Sequence, residues 1–275
     1  MSMNVLRRTA LQRAAACCAV PALIGLTGWA LSPTANAQIV DINDAINKGG
    51  RQRMLSQRMA KSYLAIGQGV LPEAAEKTLA ASMALFDRQQ TELRAFAPTA
   101  EIKSTYTELE SVWGDYKLAL VGNLPKRELA AQTLALANRV LAGAHQGTLQ
   151  LEQVAARPSG RLVNLSGRQR MLSQRLAALS LGNNWGVLEP SLRGELAKAR
   201  EEFVSAHRTL TQAPETNESI RKLLQLAEEQ FAFFDSALKT VQAGASARQM
   251  SEVFTTSERI LQVMDQATNL YARLG

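Results

Sequence analysis

Apolar residues recur along the chain at steps of three and four positions, which is the spacing of one face of an α-helix. The clearest run contains Leu223, Leu226, Phe231, Phe234 and Leu238. Strand-type alternation of apolar and polar residues is absent from the sequence. We therefore expect helices throughout. Turn-forming residues interrupt this pattern at six places, namely 67–72, 98–99, 122–125, 182–190, 214–217 and 244–245.

These six breaks and a seam at 156–160, which contains Pro158 and Gly160, predict eight helices of roughly 20–30 residues each. Short loops between long amphipathic helices place consecutive helices antiparallel. The predicted fold class is therefore all-α, with two tandem up-down four-helix bundles. A single array of eight helices is the alternative.

An internal repeat supports the division into two bundles. The nine residues GRQRMLSQR occur twice, at Gly50–Arg58 and at Gly167–Arg175, and we call these two copies the repeated segments. Further matches continue at offsets between 116 and 120. They include Phe86 with Phe203, Trp113 with Phe231, and Arg139-Val140-Leu141 with Arg259-Ile260-Leu261. A repeat this long indicates a duplicated domain. The predicted domains are 38–155 and 161–275, joined by a linker at 156–160.

The first 37 residues have the layout of a secretory signal peptide. Arg7, Arg8 and Arg13 precede an apolar run, and Ala35-Asn36-Ala37 resembles a cleavage site. We expect export to the periplasm by a Tat-like or Sec route with cleavage of 1–37; an uncleaved membrane anchor is the alternative. Both cysteines lie in this segment, so thiol chemistry, disulfides and covalent haem attachment are not expected in the mature chain.

Charge and residue usage exclude several functions. The chain has a formal net charge of +7, and removal of the three arginines of 1–37 lowers it to about +4. With 24 acidic residues spread along the chain, no nucleic-acid partner is expected. His145 and His207 belong to no metal-binding pattern. We expect no metal, no cofactor and no catalytic residue, hence no enzyme. Haem held noncovalently by Met and His is a minor alternative.

The repeated segments carry the candidate chemistry. On a helical projection Gly50, Arg53, Ser56 and Gln57 share one stripe, whereas Leu55 and Met59 lie on the opposite face. Glycine inside a helix costs about 1 kcal/mol relative to alanine, so paired glycines indicate close approach of another helix. The matching stripe of the second copy contains Gly167, Arg170, Ser173 and Gln174.

The two stripes predict a binding site for a small anion. If they pack together, Arg53 and Arg170 face each other in a crowded seam, and neither stripe contains an acidic residue. A buried guanidinium needs a partner, and its forked donors suit a planar oxyanion. Arg51 and Arg58 are interpreted as solvated residues or as partners of acids such as Glu73 or Glu76. The predicted ligand-binding residues are Arg53, Arg170, Gly50, Gly167, Ser56, Ser173, Gln57 and Gln174.

Ile46-Asn47-Lys48-Gly49 followed by the first repeated segment, and Asn164-Leu165-Ser166 followed by the second, resemble the P-box of bacterial nitrate/nitrite sensors. They are also similar to the N-terminal domain of type IV pili methyl-accepting chemotaxis transducers, the PilJ/NarX-like family. The resemblance implies a periplasmic four-helix bundle whose first helix carries the P-box. In the nitrate sensors an arginine from each of two subunits binds one nitrate, and that arginine corresponds to Arg53 and to Arg170. Leu55 and Gln57 depart from the nitrate-sensor pattern.

Two functional hypotheses follow. The first is a periplasmic, non-enzymatic protein that senses a small oxyanion such as nitrate or nitrite between the two repeated segments. It would act through a membrane sensor kinase or chemoreceptor. The site would form within one chain or between the chains of a homodimer. The alternative is a helical adaptor whose glycine stripe docks an envelope protein, such as a sensor kinase or a type IV pilus component, without a small ligand.

Overall fold

The computed structural model describes residues 38–122, 124–192, 194–241 and 244–274. These residues contain eight α-helices, one 3₁₀ turn at Pro190–Leu192, and no strand. The helices are α1 (Ile42–Gly67), α2 (Pro72–Phe96), α3 (Ala100–Val121), α4 (Arg127–Ala155), α5 (Pro158–Trp185), α6 (Glu195–Gln212), α7 (Glu218–Thr240) and α8 (Ala247–Ala272). The all-α prediction is confirmed. The predicted signal segment, with Cys17 and Cys18, lies outside the described residues.

Local sequence explains where the helices begin. The side chains of Asp41, Thr99 and Asn217 accept hydrogen bonds from the first-turn amides of α1, α3 and α7. Ser246 and Gln249 form a reciprocal capping box at the start of α8. Proline occupies the first turn of α2 and of α5, where its missing amide hydrogen has no cost. The helix ends therefore fall at the breaks that the sequence predicted.

Each half of the chain packs as a ring of four consecutive helices. In the first half α1 contacts α2 and α4, and α3 contacts the same two helices. In the second half α5 contacts α6 and α8, and α7 likewise closes the ring. This is the order of an up-down four-helix bundle, as predicted.

The two bundles join through their first helices. The pairing of α1 with α5 is the most extensive helix–helix interface, and α4 with α5 and α1 with α8 add to it. The described residues thus form one compact unit. Pro158, Ser159 and Gly160 belong to the first turn of α5, so only Ala156 and Arg157 separate α4 from α5. The division into two domains at 38–155 and 161–275 stays a prediction.

Helices α1 and α5 lie at the centre of this unit and are buried on nearly every side. Their buried residues include polar side chains such as Gln52, Lys61 and Gln169 as well as apolar ones. Since neighbouring helices cover both faces, the contrast between a core stripe and a packing stripe disappears in the tertiary structure. In the part of the chain that is described, no helix is both long and apolar enough to cross a membrane.

Candidate functional site at the crossing of α1 and α5

Gly50 and Gly167 face each other where α1 and α5 cross. A Cβ atom added to Gly50 would lie 3.7 Å from the Cα atom of Gly167, 3.2 Å from Nη2 of Arg53 and 3.4 Å from Nη2 of Arg170. A methyl group at position 50 would therefore press on the guanidinium of Arg53 and would contact the guanidinium of Arg170 and the opposite backbone. The predicted close approach of the two glycine stripes is present within one chain, and it brings the two arginines together.

Arg53 is fully buried, and within the described part of the chain it is bound only by uncharged acceptors. Its Nη2 atom donates to the side-chain oxygen of Asn164 at 2.7 Å and to the carbonyl oxygen of the same residue at 3.2 Å. Its Nη1 atom lies 3.3 Å from Nδ1 of His145 on α4. The Asn164 amide in turn donates to the carboxylate of Glu152. The nearest carboxylate of this network, that of Glu152, is thus connected to the guanidinium only through the side chain of Asn164.

Arg170 shares the backbone contact of Arg53 but differs from it in its side-chain partners. Its Nη2 atom donates to the carbonyl oxygen of Asn47 at 3.1 Å, as Arg53 does to that of Asn164. Its Nη1 atom, however, pairs with the carboxylate of Asp265 on α8 at 2.5 Å. The stripe itself contains no acid, but tertiary packing supplies one to Arg170 from 95 residues further along the chain.

The pKa values reflect this difference. Burial, together with the nearby charges of Arg168 and Arg170, lowers the pKa of Arg53 to about 9. Burial also lowers the pKa of Arg170, but Asp265 opposes the shift and the value is about 10. The pKa of Asp265 falls to about 2 because Arg170 and Arg51 stabilise its charge against the cost of burial. Arg53 is therefore the less compensated of the two buried cations.

The predicted serine and glutamine residues make contacts within the protein. The hydroxyls of Ser56 and Ser173 each donate at 2.8 Å to the carbonyl oxygen three positions earlier. The amides of Gln57 and Gln174 reach the carbonyl oxygens of Ala137 on α4 and Ser257 on α8. The glutamines therefore link neighbouring helices, whereas the serines bond within their own helix. They do not point to an open space between the arginines, and a ligand-binding role for them stays a prediction.

The flanking arginines of the repeated segments are also paired, although not with the acids suggested by the sequence. Arg51 pairs with Asp265 at 2.9 Å, and Arg58 pairs with Glu258, both on α8. The interpretation with Glu73 or Glu76 is wrong, because α1 packs against α8 of the second half at these positions. Glu258 also accepts from the buried Lys61 at 2.5 Å. These ion pairs connect α1 of the first bundle to α8 of the second.

Sequence reasoning missed His145, Asn164, Asp265 and Glu152 as members of the site. An alignment of the two halves could have identified two of these residues, His145 and Asp265, as equivalent. The aligned triplets Arg139-Val140-Leu141 and Arg259-Ile260-Leu261 define an offset of 120, and this offset places His145 over Asp265. The structure agrees, since each of these two residues contacts the Nη1 atom of the buried arginine in its own half.

Two cavities meet at His145 and Arg168. One, of about 400 Å³, is lined by these residues together with Arg53, Asn138, Arg175 and Glu195, among others. The other, of about 640 Å³, is lined by the same two residues and by Glu152, Asn164 and Glu202, among others. Among the described residues, no group of three His, Cys, Asp or Glu side chains is placed to hold a metal ion. The polar groups that line the two cavities thus include arginine, histidine, amide and carboxylate groups.

The family described as type IV pili methyl-accepting chemotaxis transducer N-term, PilJ, matches residues 35–142 and 155–225. The chain belongs to the PilJ family. No curated protein and no solved structure matches the chain. The two matched segments begin near the starts of α1 and α5, so each contains one repeated segment. PilJ domains are the sensor domains of chemotaxis transducers, and the resemblance read from the sequence is confirmed.

The side chains that differ between the two halves at the buried arginines lie outside the segments that match PilJ. The matched segments contain Arg53, Asn164 and Arg170, but they end before His145 and before Asp265. The residue that contacts each buried arginine from the fourth helix of its bundle thus lies outside the matched part. Within this PilJ-family chain, both copies provide the arginine, whereas the partner of that arginine differs between the copies.

Proposed function

We propose that this PilJ-family protein is a non-enzymatic periplasmic sensor for a small oxyanion and that it acts through a membrane-bound chemoreceptor or sensor kinase. The observation that carries the proposal is the buried guanidinium of Arg53, which directly contacts no carboxylate of the residues that the structure describes. A protein that merely needed a packed helix crossing would gain nothing from a buried cation at this place.

The two buried arginines differ in how their charge is compensated. Burial of a charged group costs several kcal/mol unless an opposite charge compensates it. Asp265 compensates Arg170 directly, whereas Arg53 has two oxygens of Asn164 and a ring nitrogen of His145. An anion that reached Arg53 would supply the missing compensation and would be bound more strongly than at an exposed arginine.

Nitrate and nitrite are the first candidates for the ligand. Both are small, planar monoanions that match the forked donors of a guanidinium. The arrangement expected from the sequence, with one anion shared equally by Arg53 and Arg170, now has a competitor, since Asp265 already occupies the Nη1 atom of Arg170. Arg53 is therefore the expected principal donor.

Binding would be transmitted through the helix crossing. The first repeated segment is tied to α8 by Arg51 and Arg58, and Arg53 is tied to α5 by Asn164. An anion that changes the charge balance at Arg53 would favour one relative placement of α1, α4 and α5 over another. A partner protein that contacts these helices could bind one arrangement of them more tightly than the other.

The adaptor alternative has less support. Its proposed docking surface was the glycine stripe, and the stripes of α1 and α5 cover each other in the same chain. A partner helix could dock there only by separating the two bundles. The adaptor function would therefore need a different surface of the protein.

Calorimetric titration of the purified protein with nitrate and nitrite, with chloride and sulfate as reference ions, tests the proposal. We expect saturable binding of at least one of the two ligands, and loss of that binding in Arg53→Met. The matched control is Arg139→Met, which removes an exposed arginine of α4 and should leave binding unchanged. Absence of heat from both ions, together with capture of an envelope protein by the unliganded chain, would favour the adaptor instead.

A further inference from the structure

The second half of the molecule contains a complete anion-binding arrangement whose anion is a protein side chain. The carboxylate of Asp265 bridges two guanidinium groups, at 2.5 Å from Nη1 of Arg170 and 2.9 Å from Nη2 of Arg51. One of these arginines comes from α5 and the other from the facing helix α1. The arrangement is what a bound carboxylate would make with two arginines at a helix crossing.

The first half repeats this arrangement without the carboxylate. Arg53 is the equivalent of Arg170, and Arg168 is the equivalent of Arg51, since both pairs are 117 positions apart. The equivalent of Asp265 is His145, whose Nδ1 atom lies 3.3 Å from Nη1 of Arg53. Arg168 pairs instead with Glu202 on α6. Two arginines that are bridged by an anion in one half are therefore not bridged in the other.

The chemistry of His145 does not replace the missing charge. Burial, together with the neighbouring Arg53 and Arg168, lowers the pKa of His145 to about 4, so the ring is neutral at pH 7. A neutral imidazole can accept one hydrogen bond from Arg53, but it offers no negative charge. The position of a carboxylate is thus filled by a group that binds the arginine only weakly.

We infer that the protein binds one small planar monoanion, a carboxylate group or a nitrate-like ion, in the place of the His145 ring, where it bridges Arg53 and Arg168 as Asp265 bridges Arg170 and Arg51. This inference rests on the proposed function and gives its site. The site lies to one side of the α1/α5 crossing and combines Arg53 of α1 with Arg168 of α5.

The surroundings of His145 allow entry. The residue is only partly buried, and it lies between the cavities of about 400 Å³ and about 640 Å³. Rotation of the ring away from Arg53 would open the bridging position to either cavity. The walls of these cavities also carry the carboxylates of Glu152, Glu195 and Glu202. The same walls also carry Arg161, Arg175 and Lys198, so the preference for a monoanion is inferred from the single charge of Asp265 at the equivalent position and not from the walls.

A reciprocal exchange of the two equivalent residues tests the inference. Calorimetry on the full chain would measure the stoichiometry of formate, acetate, nitrate and nitrite, with sulfate as the divalent reference. We expect one site in the natural protein. His145→Asp supplies an internal carboxylate and should weaken binding at least tenfold while raising Tm. Asp265→His removes the internal carboxylate and should give a second site.

Controls keep the result interpretable. Asp115→His makes the same substitution at an exposed position of α3 and should leave one site. If Asp265→His does not fold, Arg168→Gln carries the test through a partly exposed residue, and it should also weaken binding at least tenfold. Stronger binding of formate and acetate would assign the site to organic carboxylates, and stronger binding of nitrate and nitrite would assign it to inorganic ions.

The failure of this inference differs from the failure of the proposed function. Unchanged binding of an anion by His145→Asp would overturn the inference, because the ligand would then lie elsewhere, yet the sensing function would stand. Absence of binding of every tested monoanion by the natural protein would remove both.

Discussion

His145 and Asp265 occupy equivalent positions on α4 and α8, and each contacts the Nη1 atom of the buried arginine in its own bundle. One arginine is thereby bound by a neutral ring and the other by a carboxylate. Both copies of the duplicated unit have the arginine, the glycine and the backbone contact of the arginine. The two copies differ in the side chain that faces the arginine, which is neutral in one and negatively charged in the other. This difference in charge is the basis of the predictions for Asp265 and His145 that follow.

Asp265→Ala should destabilise the protein by about 3 kcal/mol, because it leaves the fully buried Arg170 without a carboxylate. Urea unfolding at pH 7 measures the change. The control is Glu110→Ala, which removes an exposed pair with Arg94 and should cost less than about 1 kcal/mol. Equal losses in the two variants would contradict the role given to Asp265.

The stability of the protein should fall as the pH is lowered from 6.5 toward 4, in part because of His145. The pKa of this residue is lowered from 6.5 to about 4 by burial and by Arg53 and Arg168. In that window the unfolded chain takes up a proton that the folded protein does not, so unfolding is favoured as the pH falls.

His145→Gln isolates this contribution, since it cannot titrate. The difference in unfolding free energy between the natural protein and the variant should change between pH 6.5 and 4 and stay constant above pH 7.5. Burial also lowers the pKa of His207, which acts in the same direction in both proteins and cancels in the difference. A difference that does not depend on pH would show that His145 is not buried beside these arginines.

Glu258→Gln should destabilise the protein at pH 7, because Glu258 is the carboxylate partner of both Arg58 and the fully buried Lys61. These cations hold the pKa of Glu258 at about 2, below its usual 4.5, in spite of burial. The stability that they give is present above pH 4.5 and is lost as the pH falls toward 2. Acid titrations of the two proteins, followed by circular dichroism, should therefore converge in that range.

Gly147→Ala should destabilise the protein by about 1–3 kcal/mol through overpacking. A Cβ at Gly147 would lie 2.8 Å from Cζ of Tyr106, and the ring of Tyr106 is fully buried. Gly114 on α3 is the matched control, since a Cβ there meets nothing within 4 Å. Gly114→Ala should stabilise the protein by up to about 1 kcal/mol. Thermal unfolding of both variants checks the difference in sign.

Much of the fold could be predicted because its causes are local. Asp41, Thr99 and Asn217 begin helices through hydrogen bonds that span only three residues, and Gly67 and Gly186 lie at the ends of helices. The crossing of α1 with α5 was also accessible, since paired glycines have few other uses inside a helix. The predicted stripe of small residues is present at that crossing.

The partners of the arginines could not be predicted in the same way. Asp265 reaches Arg170 and Arg51 only because α8 packs beside both α5 and α1. Nothing within a few residues of either arginine indicates this contact. The partner that Arg170 needs from outside its stripe is Asp265, and the sequence interpretation of Arg58 was wrong because its partner also lies on α8.

The sequence by itself determined eight helices, their duplication, and a glycine stripe in each half that brings one arginine into a crowded crossing. Periodicity, helix capping and backbone space act over a few residues, so they can be read along the chain. Only the tertiary structure decided which arginine is compensated. Charge compensation depends on distances of about 3 Å between atoms of helices far apart in sequence. In this protein those distances give Arg170 a carboxylate and Arg53 a histidine.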